Sequence, residues 1–201
     1  MATPTIDSSS AISYGWNAVK KDFWYLVGIA AVSQIISGLM SRPDQNPNSW
    51  DFLGIFLSAW MTAGYMVLML SYQAGKKLPF TDLFTQLKYF WRVLGGTILV
   101  GLIVGAGTIL FIIPGIYFAL RFQFVIPLII DKNLGIGAAM TESTRLTQGI
   151  KMSLLMFDLT LLGIIILGVI CLGVGVFVAL PVTWLAMVVV YRKLNQPAVP
   201  V

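Results

Sequence analysis

Charge is missing from this chain over distances that only lipid tolerates. Between Trp91 and Asp131 the sole charged side chains are Arg92 and Arg121, and between Asp158 and Arg192 there are none. A helix needs roughly 20 apolar residues to cross about 30 Å of hydrocarbon at ~1.5 Å per residue, so each block is too long for one crossing and fits two. With 58% hydrophobic and 10% charged residues over 201 positions, one membrane domain uses up the chain.

Turn signals and charges divide the apolar sequence into six expected spans: Phe23–Met40, Trp50–Gly75, Trp91–Ile113, Ile116–Asp131, Met152–Cys171 and Val174–Tyr191. The breaks are the polar stretch 41–48, Lys76-Lys77-Leu78-Pro79, Asp131-Lys132-Asn133, and two nearly apolar turns at Ile113-Pro114-Gly115 and Gly173-Val174-Gly175. The first span is longer than a signal-peptide core and lacks a clear small-x-small cleavage site, so it reads as a retained helix. Basic residues set the orientation, because cytoplasmic loops hold Lys and Arg. Six crossings with both termini in the cytoplasm put Lys20, Lys21, Lys76, Lys77, Lys88, Arg92, Lys132, Arg145, Lys151, Arg192 and Lys193 inside and leave only Arg42 outside.

The cytoplasmic segments are longer than connectors require. Residues 13–21, 80–91 and 136–150 each carry a helical apolar stripe: residues 80, 83, 84, 87 and 90 in the second, and Ala139, Leu146 and Ile150 in the third, opposite Glu142, Arg145 and Gln148. Two readings stand, an amphipathic helix lying in the inner interface or a short cap packed on the bundle. On the first, Lys20, Lys21, Lys76, Lys77 and Lys88 meet anionic headgroups. The expected fold is an all-α polytopic membrane protein with six transmembrane helices as three hairpins, each preceded by a cytoplasmic interfacial helix. Residues 1–10 are expected as a disordered tail, 11–194 as one domain and 195–201 as a second tail.

Phe23, Phe90 and Phe157 are equally spaced along the sequence, and the same offset aligns Trp24 with Trp91, Gly28 with Gly95, Gly101 with Gly168, and Pro47, Pro114 and Pro181. One reading is a threefold internal repeat, three copies of a unit made of an interfacial helix and a hairpin; another register pairs Pro127 with Pro181.

The absence of histidine from the sequence removes the commonest general base and the usual zinc and haem ligands, and argues against hydrolytic chemistry. Cys171 is the only cysteine, lies in an apolar run and is expected to be a small packing residue. Asp131 and Glu142 are the only acidic residues near each other at the inner side, without a histidine or cysteine partner. No enzyme, cofactor or metal site is expected. The net charge of +5 sits in short clusters beside apolar segments, which points to anionic lipid and not to nucleic acid.

The pattern Gly15-Trp16 with Lys20-Lys21-x-Phe23-Trp24, Asp82-Leu83-Phe84 running to Phe90-Trp91, Ile113-Pro114-Gly115-Ile116-Tyr117, Leu146-Thr147-x-Gly149 and Val190-Tyr191-Arg192-x-Leu194 resembles a broad group of uncharacterised bacterial integral membrane proteins. That group is similar to the membrane domain that accompanies some glycerophosphoryl diester phosphodiesterases. The resemblance implies a bacterial inner-membrane fold. The phosphodiesterase chemistry belongs to a separate soluble barrel that nothing here matches, so no activity is carried over.

Arg121 is expected near the middle of the fourth span, where an isolated guanidinium costs ~2.5 to 3.5 kcal/mol. It reads either as an intramembrane anion or headgroup site with Gln123 nearby, or as an Arg snorkelling to the outer interface or locked to backbone carbonyls. Asp158 in the fifth span is either its buried partner or a group touching headgroup water. The Gly101-x-x-x-Gly105 motif, with Gly107, Gly163 and Gly168, lets helices approach, within the chain or in a homo-oligomer. Gln34, Thr62, Thr108 and Thr183 are expected to bond backbone carbonyls one turn back. Two function classes remain: a non-enzymatic membrane scaffold or accessory module with lipid and membrane-protein partners, or a small transporter, channel or lipid-moving protein built around Arg121.

Overall fold

The computed structural model describes residues 7–40, 52–84, 86–171 and 175–195, and every regular element in them is helical. The helices are α1 (Ser8–Lys21), α2 (Phe23–Met40), α3 (Phe52–Gln73), α4 (Leu87–Leu110), α5 (Ile112–Phe122), α6 (Val125–Asp131), α7 (Ile136–Thr147), α8 (Lys151–Ile170) and α9 (Val176–Asn195), with a 3-10 turn at Phe80–Leu83. Among the described residues, four stretches are long and apolar enough to cross a membrane: Lys88–Leu110, Ile112–Asp131, Lys151–Ile170 and Val176–Asn195. The first two expected spans coincide with α2 and α3; the apolar stretch Phe23–Ile36 of α2 is shorter. Trp50, Arg42, Pro47 and the polar stretch 41–48 lie outside the described residues.

Helix α9 is the hub. It packs against α1, α2, α3 and α8, and Val182, Leu185, Ala186, Val188 and Tyr191 are buried along it. Helix α2 packs on α3, and α4 packs on both α3 and α5. By contrast, α4, α5 and α8 turn apolar side chains outward: Ile109 is 88% exposed, Ile113 80% and Ile170 70%.

The amphipathic segments are docked on the bundle. Helix α1 begins at Ser8, inside the stretch expected to be a tail, because the Asp7 carboxylate accepts from the Ser10 amide at 3.1 Å and the Ser9 hydroxyl at 2.7 Å. It buries Ala11, Gly15, Ala18 and Val19 and runs against α9. Only a glycine fits at position 15, where a Cβ would lie 2.5 Å from the Val182 carbonyl oxygen. Helix α7 buries Ala139 and Leu146 as expected, with Ile150 just beyond, and also Ser143 and Thr147; Gly149, at φ +80°, turns the chain into α8.

Several expectations are corrected. The stripe over residues 80–91 is not one amphipathic helix. Pro79 opens a 3-10 turn from which only Leu83 is buried, against the bare backbone of Gly64, while Phe80 and Phe84 remain exposed. The turn of the α4–α5 pair falls at Phe111, whose extended backbone (φ −162°, ψ 147°) separates the helices, ahead of Pro114-Gly115. Pro114 sits in the first turn of α5, where its missing N–H costs nothing. The fourth expected span is present as one apolar stretch, Ile112–Asp131, with a break at Gln123–Phe124 that divides it into α5 and α6. The cause is Pro127, which offers no N–H to the Gln123 carbonyl one turn back and whose ring crowds it.

Cys171 is exposed at the end of α8 and not packed inside. Gly107 does approach Gly115, and Gly168 approaches Gly175, but among the described residues Gly101, Gly105 and Gly163 have no neighbour within 4 Å of an added Cβ, so the Gly101-x-x-x-Gly105 motif packs against none of the described helices. Helices α2, α4 and α8 begin at Phe23, Leu87 and Lys151, which are equally spaced, but at a shorter interval than Phe23, Phe90 and Phe157. The register that aligns the three phenylalanines therefore puts them in successively later turns of their helices.

Candidate functional site

The break at Gln123–Phe124 decides where Arg121 stands. It lies in the last turn of α5 and not in the middle of a continuous span. The end of a helix presents unpaired carbonyls and the negative end of its dipole, which suits a cation. Helix α7 completes the arrangement from the other side. The Ser143 hydroxyl donates to the Arg121 carbonyl at 2.8 Å, and Arg121 Nε donates to Thr144 Oγ1 at 2.9 Å. Thr144 in turn donates to the Met140 carbonyl at 2.9 Å. The guanidinium carbon is 5.5 Å from the Phe122 ring centroid.

A third element reaches the same place. Lys151, the first residue of α8, donates to Tyr117 Oη at 2.7 Å, and its Nζ is 4.0 Å from that ring's centroid. Tyr117 and Arg121 are four apart on α5 and share a face. Arg121 thus stands where α5, α7 and α8 meet, beside Lys151, a residue that the sequence reading treated only as a topology marker. The one signal available was the Tyr117 to Arg121 spacing; the Lys151 contact joins residues 34 apart and is a product of packing.

Asp158 is not brought to Arg121. It is half-buried in α8, and among the described residues it makes no ion pair or hydrogen bond. Gln123 lies at the helix break with its Nε2 buried and without a partner among the described residues.

The five lysines expected at anionic headgroups are all exposed, and they fall into three groups. Lys21 and Lys77 line one cleft of about 330 Å³ with Tyr14, Asn17 and Tyr72, and Lys20 stands beside it over the Trp16 ring at 5.4 Å. Lys77 pairs with Asp22, which also accepts from Tyr72 Oη at 2.6 Å. The Lys77 and Tyr72 hydrogen bonds hold the Asp22 carboxyl below its ordinary value. Lys76 lines a second cleft with Gln86, Tyr89, Asp131 and Arg192. Lys88 lies apart on α4, 5.5 Å from the Tyr89 ring centroid.

Asp131 and Glu142 each take two side-chain donors. Asp131 takes Arg192 at 3.1 Å and the Tyr191 hydroxyl at 2.8 Å. Glu142 takes Arg145 at 2.7 Å and Lys132 at 3.1 Å, and the Arg145 hydrogen bond, followed by that of Lys132, pulls its pKa down to about 2. Among the described residues no three carboxylate or cysteine side chains converge in a way that would hold a metal.

One polar feature escaped the sequence reading. Ser33, Gln34, Ser58, Thr62, Tyr65 and Trp184 line a cleft of about 300 Å³ between α2, α3 and α9. The Tyr65 hydroxyl is buried there without a partner among the described residues. Thr108 and Thr183 do bond carbonyls of their own helices, at 2.8 and 2.9 Å, whereas Gln34 and Thr62 belong to this cleft. No protein-family model, curated protein or solved structure matches the chain.

Proposed function

We propose that the chain is a non-enzymatic integral membrane module of the bacterial inner membrane, a scaffold or accessory protein of the cell envelope. On this reading it crosses the bilayer six times with both termini in the cytoplasm and contacts anionic lipid there. The observation that carries the reading is the outward apolar surface of α4, α5 and α8. An aliphatic side chain left in water forgoes ~1.5–3 kcal/mol, so a surface bearing Ile109, Ile113 and Ile170 is at home in hydrocarbon. Six crossings are supported by the pairing of α2 with α3, α4 with α5 and α8 with α9. The order of a short element followed by a helical pair, three times over, the second member of the middle pair being divided into α5 and α6, supports a repeated unit. Trp16, Trp24 and Trp91 are exposed, as befits rings at headgroup level. The resemblance to a phosphodiesterase-associated membrane domain favours the same reading, a membrane part without its own chemistry.

Cysteine labelling in a Cys171→Ser background tests the topology. Ser10→Cys and Lys193→Cys should resist a membrane-impermeant maleimide in intact cells and react after permeabilisation; labelling from outside overturns the orientation.

A second reading, a transporter or lipid-moving protein, is favoured by the interrupted helix at Gln123–Phe124 and its partnerless amide, since broken helices expose backbone groups at transport sites. Reconstitution with a fluorescent phospholipid and an external quencher separates the two. Quenching of only the outer leaflet supports the scaffold; Arg121-dependent quenching of both leaflets moves the function to lipid movement.

A further inference from the structure

We propose that the junction of α5, α7 and α8 is a specific binding site for one anionic phospholipid, with Arg121 and Lys151 as its two phosphate contacts. The inference rests on the membrane reading above and is distinct from the lysines of the inner surface. Lys77 pairs with Asp22, Lys132 and Arg145 share Glu142, and Arg192 pairs with Asp131, whereas the exposed Arg92, on Asn133, and Lys20 and Lys88, over aromatic rings, show no carboxylate partner among the described residues. Arg121 and Lys151 have none among the described residues. Their visible partners are neutral hydroxyls, Thr144 and Tyr117, which orient the two groups and leave their charge uncompensated.

Tyr117 and Arg121 lie one turn apart on the same face of α5, and Lys151 holds the Tyr117 hydroxyl, so the two cations stand on one face of that helix. Two like charges held together at a half-buried site repel unless an anion lies between them. Arg121 spends only Nε on Thr144, so its terminal nitrogens stay available for two oxygens of a phosphate, and the remaining ammonium hydrogens of Lys151 supply point-charge contacts. Asp158, two turns along α8 from Lys151, makes no ion pair and does not neutralise them.

The surroundings select a lipid over a free anion. Ile113, Ile116, Met152 and Met156, on α5 and α8 around the cluster, are exposed apolar side chains. A phosphodiester carrying acyl chains satisfies both features at once, the head on Arg121 and Lys151 and a chain along the outer faces of α5 and α8. Inorganic phosphate satisfies only the first.

Native mass spectrometry of the full chain, exchanged into detergent with added phosphatidylglycerol or phosphatidylcholine, tests the site. The wild type is expected to retain one phosphatidylglycerol in preference to phosphatidylcholine. With each basic contact near a lipid surface contributing roughly a five-fold change in affinity, Lys151→Gln should weaken retention about five-fold and Arg121→Gln with Lys151→Gln about twenty-five-fold. Arg121→Lys should keep most of it. Lys151→Gln, at the first residue of α8, leaves the Arg121 contacts with α7 intact, so it reports on the site even where the double variant does not fold.

Replacing Lys20, Lys21, Lys76, Lys77 and Lys88 by Gln should leave this one tightly held lipid in place. Unchanged retention in Lys151→Gln, or displacement of the lipid by millimolar inorganic phosphate, overturns the proposal. Carbonate extraction of the cell membranes is run in parallel: protein that stays in the pellet while the variant retains lipid normally rejects the site alone, and protein released to the supernatant rejects the membrane reading itself.

Discussion

Replacing Gly15 by Ala tests whether α1 is clamped to α9 or lies free in the interface. A Cβ at this position would meet the Val182 carbonyl oxygen at 2.5 Å and its carbonyl carbon and Cα at 3.2 and 3.3 Å, where ordinary contacts begin at 3.4 Å. These atoms are backbone at a buried point of α9 and cannot rotate away, so α1 must back off and loosen Ala11, Ala18 and Val19. Overpacking of this kind costs ~1–3 kcal/mol, and the better helix propensity of Ala returns up to ~1 kcal/mol, leaving a net loss of roughly 1–2 kcal/mol.

Gly163 is the control, because it lies within α8 and an added Cβ there meets nothing within 4 Å. Gly163→Ala should gain up to ~1 kcal/mol from propensity alone. At about 2–4 °C per kcal/mol for a chain of this size, thermal unfolding in detergent should show the two midpoints moving in opposite directions. If Gly15→Ala raises the midpoint as Gly163→Ala does, α1 is not docked on α9, and its lysines belong to an independent surface helix.

Thr144→Val and Ser143→Ala should each loosen α5 from α7, the first by about 1.5–3 kcal/mol as a bond from a charged donor and the second by about 1 kcal/mol; a thermal double-mutant cycle should show coupling, since both bind Arg121. Glu142 titrates far below the ordinary carboxyl, 4.5 falling to about 2 in the folded protein, so the unfolded chain binds the extra proton in that window. Its contribution is complete above pH 4.5 and is lost as pH falls toward 2, and Glu142→Gln should flatten the acid limb of a Tm-versus-pH curve. Asp22 has the same sign, its folded value lying below 3.8, and Tyr72→Phe should shift its loss upward in pH. Gly64→Ala should displace Leu83, whose backbone occupies the space of the added methyl, and raise proteolysis between Lys76 and Lys88.

Hydropathy is a property that each residue carries by itself, and a bilayer reads it directly. The charge-poor blocks therefore announce the apolar helices, and the spacing of Ala139 and Leu146, with Ile150 just beyond, announces the buried face of α7. Pro127 also carried a local signal: proline must disturb the carbonyl one turn back, and the break at Gln123–Phe124 lies there, although the apolar run hides it from a reading by hydropathy.

What sequence could not supply is the choice of partners. Whether Arg121 meets Asp158 or Thr144 depends on the angle at which α5 crosses α7 and α8, and that angle is set by side chains far apart in the chain. Arg121 bonds Thr144, 23 residues on, and Lys151 reaches Tyr117 across 34. The same holds for the glycines. Gly101 and Gly105 have the spacing of a packing motif yet meet nothing within 4 Å among the described residues, while Gly15, outside any small-residue packing motif, lies against the Val182 backbone. Spacing along a helix specifies which residues share a face; only the packed structure determines what that face meets.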